Sequence, residues 1–198
     1  MIFRKRNGRA ENIVDSGSWG GGTTWELVLS EEHPDPKLCT AVACVAISDI
    51  DTDEIALTRN VHSKKPPRMN QWEILAGHID PLNPAKPDGA KETPLQALTR
   101  EALEETGFVI HKASLFGYSR VHNAQPSSYP EIAYMPYYWA ITNQELKTPT
   151  DPGQPRKRTF PIEAIRGFVD TGTMQQSELN IIEHGLRAAH EKLRPRNR

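Results

Sequence analysis

Residues 77–108 decide the reading of the chain: Gly77-His78-Ile79-Asp80, an interruption from Pro81 to Lys91 rich in proline, then Glu92-Thr93-Pro94 and, further on, Arg100-Glu101-Ala102-Leu103-Glu104-Glu105-Thr106-Gly107-Phe108. Pro94 fixes its φ near a helical value and suits a first helical position. Thr93 before it can cap, and Gln96 three residues later completes a capping box. Gly107 suits the left-handed residue that closes a helix, so the pattern predicts a helix from Pro94 to about Thr106.

At about 100° per residue, Leu95, Leu98, Ala102 and Leu103 fall on one side of that helix, and Glu101, Glu104 and Glu105 fall within an arc of roughly 100° on the other. Like charges at these spacings repel, and near a helix C-terminus the dipole opposes anions as well. A solvated acidic face accounts for such a run. So does a site for a hard divalent cation, which takes oxygen ligands, reverses the sign of the repulsion and leaves room for substrate phosphates.

The run from Glu92 to Phe108 resembles the Nudix box, G-x5-E-x7-R-E-U-x-E-E-x-G-U with U apolar, and matches it at all eight specified positions if Ala102 is accepted as a small U. The chain departs from the pattern upstream, where fourteen residues instead of five separate Gly77 from the glutamate. The spacing reads as a loop inserted into the turn before the helix, which costs little entropy.

The resemblance implies an α/β class fold, an α/β/α sandwich with a mixed β-sheet, and a pyrophosphohydrolase that cleaves a nucleoside diphosphate-linked substrate: ADP-ribose or a nucleotide sugar, or a nucleoside triphosphate. It implies Mg²⁺ or Mn²⁺ as cofactor, held by Glu101, Glu104, Glu105 and the carbonyl of Gly77, with Glu101 or Glu104 in the catalytic role. It also implies a structural ion pair between Glu92 and Arg100, and a homodimer as a family expectation. Two other activities belong to the same fold. A nucleotide-binding sensor without catalysis usually loses box carboxylates or carries a DNA-binding domain, and this chain shows neither. An isoprenyl diphosphate isomerase needs a suitably placed cysteine.

The chain of 198 residues is 37% hydrophobic, enough for one domain with a substantial core. The expected division is an N-terminal extension over 1–36 with a short strand, and a Nudix domain over 37–198. A net charge of −1 gives no electrostatic case for duplex nucleic acid or a membrane surface as partner, which leaves a small nucleotide-type molecule. Cys39 and Cys44 lie in an apolar run and read as buried reduced thiols. With no apolar run of spanning length, a cytoplasmic location is expected.

Up to Ser18 the sequence is polar without a clear period, and Thr24–Leu29 reads as a short strand. Leu38–Ile50 and Glu54–Val61 read as a hairpin. The basic segment 62–68 is either an exposed loop or a source of phosphate contacts, with Arg59, Lys64 and Arg68 as candidates. Trp72 is either a core aromatic or a stacking platform for a base. His78, Glu131 and Glu163 are further candidates beside plain surface roles. After the acidic helix, strands are expected over Val109–Val121 and on both sides of Pro136, which argues for a break or an edge. Gln144–Arg158 reads as polar turns, a short helix follows near Phe160, and a last helix starts near Thr173 with Gln176 as its capping partner.

Overall fold

The computed structural model describes residues 2–6, 9–20, 22–59, 71–82, 85, 89–124, 129–143 and 157–193. Its strands are β1 (Ile2–Arg6), β2 (Arg9–Gly20), β3 (Thr23–Leu29), β4 (Ala41–Asp49), β5 (Glu54–Arg59), β6 (Trp72–Glu73), β7 (Leu75–His78), β8 (Val109–His122), β9 (Ile132–Asn143) and β10 (Lys157–Pro161). The helices are α1 (Pro94–Glu101), α2 (Ile162–Asp170) and α3 (Gln176–Leu193). The class is α/β, a mixed sheet with flanking helices, as the sequence implied. Contacts divide the chain into two units.

The first unit comprises Met1–Ala43, Gly77–Ala97 and Leu115–Tyr138. Its strands follow the order β1-β2-β3-β8-β9. β1, β2, β3 and β8 pair antiparallel, with Trp25 opposite Val121 and Glu26 opposite Arg120, and Cys39 bridges Tyr134 in the parallel sense. Residues 2–6 and 9–20 of the polar opening are therefore strand, although the sequence there shows no strand period. Two bulges, between Ile13 and Asp15 and between Ser18 and Gly20, shift its register and erase the two-residue alternation that marks a strand. Gly117 is required where β8 passes β3: a Cβ there would stand 2.6 Å from the Val28 carbonyl oxygen. Leu27, Val28, Tyr118, Tyr134 and Tyr137 fill this core. β9 runs unbroken through the buried Pro136. The expected break is absent, and the proline costs that strand one backbone donor instead.

The second unit comprises Cys44–Ala76, Leu98–Ser114 and Trp139–Arg198. β4, β5 and β10 lie side by side, antiparallel, and β6 adds to β5. The expected hairpin is present: Ile47 faces Ile55, and Asp53 in its turn takes a left-handed φ of 51°. β10 occupies the end of the stretch read as polar turns. β10 opens on three polar residues in a row, Lys157-Arg158-Thr159, and so lacks the alternation of a strand; its pairing with β5 makes it one. Ile47, Ile55, Leu57, Leu98, Trp139, Ile165 and Ile182 are fully buried. Thr173 does not cap α3. Its hydroxyl donates to the Phe168 carbonyl at 3.2 Å and so helps to end α2, and α3 begins at Gln176.

Candidate active site

The acidic helix starts as its sequence dictates. The Thr93 N–H donates to Gln96 Oε1 at 2.9 Å and the Gln96 N–H donates to Thr93 Oγ1 at 3.3 Å, a reciprocal capping box with Pro94 as the first helical residue. Ala97, Leu98 and Ala102 are buried, but Leu95 on the first turn is 45% exposed and does not join the apolar side it was assigned to. The close of the helix is not plain α. Ala102–Thr106 forms a π turn, and Gly107 at φ 70° terminates it.

That turn redistributes the carboxylates. Bonds from residue i to i+5 wind the chain more slowly than an α turn, so residues after Glu101 fall behind their α-helical positions. Glu104 swings toward the line of Arg100. The Arg100 guanidinium donates through Nη1 to Glu101 Oε1 at 3.0 Å and to Glu104 Oε2 at 3.1 Å. Glu105 remains half-buried on the same turn. Among the described residues no group of three or more His, Cys, Asp or Glu side chains is gathered closely enough to hold a metal ion. Glu101 and Glu104 thus meet at the Arg100 guanidinium, and Glu105 follows on the same turn.

The residues nonetheless fit a hard divalent cation in donor chemistry. Two carboxylate oxygens already converge on one cationic nitrogen, so a positive point charge is accommodated between Glu101 and Glu104. The Glu104 side chain is 43% exposed and the Arg100 side chain 25%, so that pair is of the solvent-screened kind, while the Glu101 side chain on the same nitrogen is only 14% exposed.

The first unit carries the upstream part of the motif. Gly77 lies on β7, and Ile79 after it donates its N–H to the Thr40 carbonyl at 3.1 Å. Glu92 closes the base of the inserted loop: its N–H donates to the Asp80 carbonyl at 2.9 Å and its carboxylate accepts the Asp80 N–H at 3.2 Å. Leu82 donates to the Ala90 carbonyl at 2.8 Å, and Pro81 pairs with Lys91. The base of the insertion is therefore hydrogen-bonded on both sides, and the chain reaches Thr93 in a fixed geometry.

In the second unit Arg59 stands over the Trp72 ring, 5.7 Å from its centroid, while Phe160 meets that ring edge-on at 4.9 Å and Phe168 stacks at 6.4 Å. Trp72 is a member of an aromatic cluster. Lys64 and Arg68 lie outside the described residues. His78, Glu131 and Glu163 are exposed. Burial pushes the Cys44 thiol up to about 12, and burial with the Asp35 charge does the same to Cys39, so neither is a ready nucleophile.

Sequence reasoning missed two features. Glu178, on the first turn of α3, accepts the Ile74 N–H at 2.6 Å and fixes the strand that leads toward Gly77. Arg120 on β8 is buried between Glu26, which accepts from Nε at 2.9 Å and Nη2 at 2.7 Å, and Glu11, which accepts from Nη1 at 3.0 Å. The only signal was a charged residue inside an apolar strand, and its partners depend on a register that the sequence does not print.

Comparison with known proteins gives the family. A family model described as the NUDIX domain matches residues 37–182. No curated protein matches. Among solved structures, an ADP compounds hydrolase is 18% identical at TM-score 0.56, with 93% of this chain and 97% of that chain covered. The Bacillus subtilis pyrophosphohydrolase BsRppH, solved as a point mutant, is 16% identical at TM-score 0.52, with 74% and 77% covered. The NUDIX domain of Shewanella oneidensis NrtR, complexed with ADP ribose, is 16% identical at TM-score 0.54, with 81% and 94% covered. At these identities the structures show the fold, and the family match spans most of the chain: with the carboxylate-bearing turn closed by Gly107 in place, the chain belongs to the Nudix family of pyrophosphohydrolases.

Proposed function

We propose that this chain hydrolyses the pyrophosphate linkage of a nucleoside diphosphate-linked compound with Mg²⁺ or Mn²⁺. The observation that carries the proposal is the meeting of Glu101 and Glu104 at a single cationic nitrogen. Glu101, Glu104 and Glu105 are the residues that would hold the ion. When bound, the ion neutralises phosphate charge and polarises the attacking water. Glu104, the more exposed of the paired glutamates, accepts a proton from that water. Arg100 keeps the two carboxylates charged and aligned. Arg59 and Arg68 are the cations assigned to the substrate phosphates, and Trp72, beneath Arg59, sets the direction of that guanidinium.

ADP-ribose leads the list of substrates to try, because one of the solved relatives holds ADP ribose and another is named an ADP compounds hydrolase. The test is a panel of ADP-ribose, nucleotide sugars, dinucleoside polyphosphates and nucleoside triphosphates with Mg²⁺ and Mn²⁺, with products separated by mass. Wild type should yield a nucleoside monophosphate from at least one of these compounds. Glu104→Gln should lower turnover by several orders of magnitude with its circular dichroism unchanged. Full activity in Glu104→Gln would remove the role given to that residue, and no cleavage of any compound by wild type would remove the proposal.

A further inference from the structure

We infer that Thr106, at the unspecified position between the paired glutamates and the glycine of the motif, is a positioning residue whose hydroxyl keeps the carboxylate-bearing turn in its π form. The inference rests on the metal role proposed for Glu101, Glu104 and Glu105.

Thr106 is 2% exposed, yet it carries a polar group that a core position does not need. That hydroxyl donates to the Ala102 carbonyl and accepts the Phe108 N–H at 3.2 Å. In an α turn the Ala102 carbonyl would take the backbone N–H of Thr106 itself. Here the same carbonyl takes the Thr106 side chain together with the N–H groups of Gly107 and Phe108. The hydroxyl thus competes with the α-helical bond at the one carbonyl where the winding changes.

The carboxylates depend on that choice, because Glu104 and Glu105 lie inside the turn and Glu101 lies just before it. With slower winding Glu104 reaches Arg100 Nη1 beside Glu101. In an α turn Glu104 would stay within the i,i+4 reach of Arg100, but Glu104 and Glu105 would both be carried further round the axis relative to Glu101, so the arrangement of the three carboxylates would change. Thr106 touches neither substrate nor ion in this account and acts only through the backbone.

The test uses the full chain with Thr106→Val, which keeps the shape and removes the donor, and Thr106→Ser, which keeps the donor and removes a methyl group. Mn²⁺ affinity is read by electron paramagnetic resonance titration without substrate, and exchange of the Phe108 amide by hydrogen–deuterium exchange. Thr106→Val should weaken Mn²⁺ binding by about 10- to 100-fold, the range for groups that orient metal ligands, and should speed Phe108 exchange. Thr106→Ser should keep wild-type Mn²⁺ affinity and slow exchange even though it melts lower. Unchanged affinity in Thr106→Val overturns the inference. So does lost affinity in Thr106→Ser, which would mark a packing role and decides the matter even if the valine variant fails to fold. If wild type itself binds no Mn²⁺, the functional reading fails and takes the inference with it, while Phe108 exchange still reports separately whether the hydroxyl holds the turn.

Discussion

Replacing Arg120 by methionine should be one of the most damaging single changes in the first unit. The side chains of Arg120, Glu11 and Glu26 are 10%, 11% and 14% exposed, so water cannot take over when the guanidinium is removed. Burial works against the Arg120 charge, but the hydrogen bonds and charges of Glu26 and Glu11 outweigh it and raise its pKa above the ordinary arginine value. Methionine preserves the apolar stem and deletes the charge that Glu11 and Glu26 share. Breaking a buried pair in this way costs about 3–5 kcal/mol. At about 2–4 °C per kcal/mol for a chain of this size, the melting temperature should fall by roughly 6–20 °C.

The pH dependence follows from the sign of the remaining charge. In the variant the folded carboxylates bind protons more readily than in the unfolded chain, so stability lost at pH 7.5 returns as the pH falls and those groups become neutral. Thermal unfolding of wild type and Arg120→Met at pH 7.5 and 5.5, followed by circular dichroism, measures both effects. The gap should narrow at pH 5.5, and adding Glu11→Gln with Glu26→Gln should recover a large part of it at pH 7.5. A loss below about 1 kcal/mol, the range of exposed ion pairs, would refute the reasoning, as would a gap that does not change with pH.

Other perturbations test single links. Thr93→Ala removes the cap acceptor for the Gln96 N–H and should cost about 1 kcal/mol in urea unfolding; no change would mean that tertiary contacts alone hold the start of α1. Gly117→Ala places a Cβ 2.6 Å from the Val28 carbonyl oxygen, so β3 and β8 must part, and a loss of about 1–3 kcal/mol is expected from overpacking. Cys39 and Cys44, with thiols held near 12, should resist a disulfide reagent at pH 8 in the native protein and react together after denaturation; rapid native labelling of either would contradict their burial.

What could be read from the sequence was local. The capping box at Thr93 and Gln96 and the left-handed Gly107 involve residues a few positions apart, and both formed as read. What could not be read depended on competition or register. The winding of Ala102–Thr106 turns on whether a threonine hydroxyl or a backbone N–H takes one carbonyl, and periodicity assumes the answer. The strand from Arg9 to Gly20 was hidden by its two bulges, and the Arg120 cluster by the pairing that sets Glu26 opposite Arg120. Leu95 looked apolar-facing because a helical wheel shows where a side chain points and not whether another element covers it.

The two arginines show how burial sorts one chemical arrangement into two uses. Arg100 and Arg120 each lie between two carboxylates at hydrogen-bond distance. Around Arg120 every partner is nearly closed to water, so exchanging the guanidinium for another cation would mean opening the sheet. Around Arg100 one partner is 43% exposed, and a pair so placed holds within about 1 kcal/mol of nothing. Under the metal role proposed above, a guanidinium so placed would keep Glu101 and Glu104 side by side and charged, the more exposed Glu104 being the one within reach of solvent.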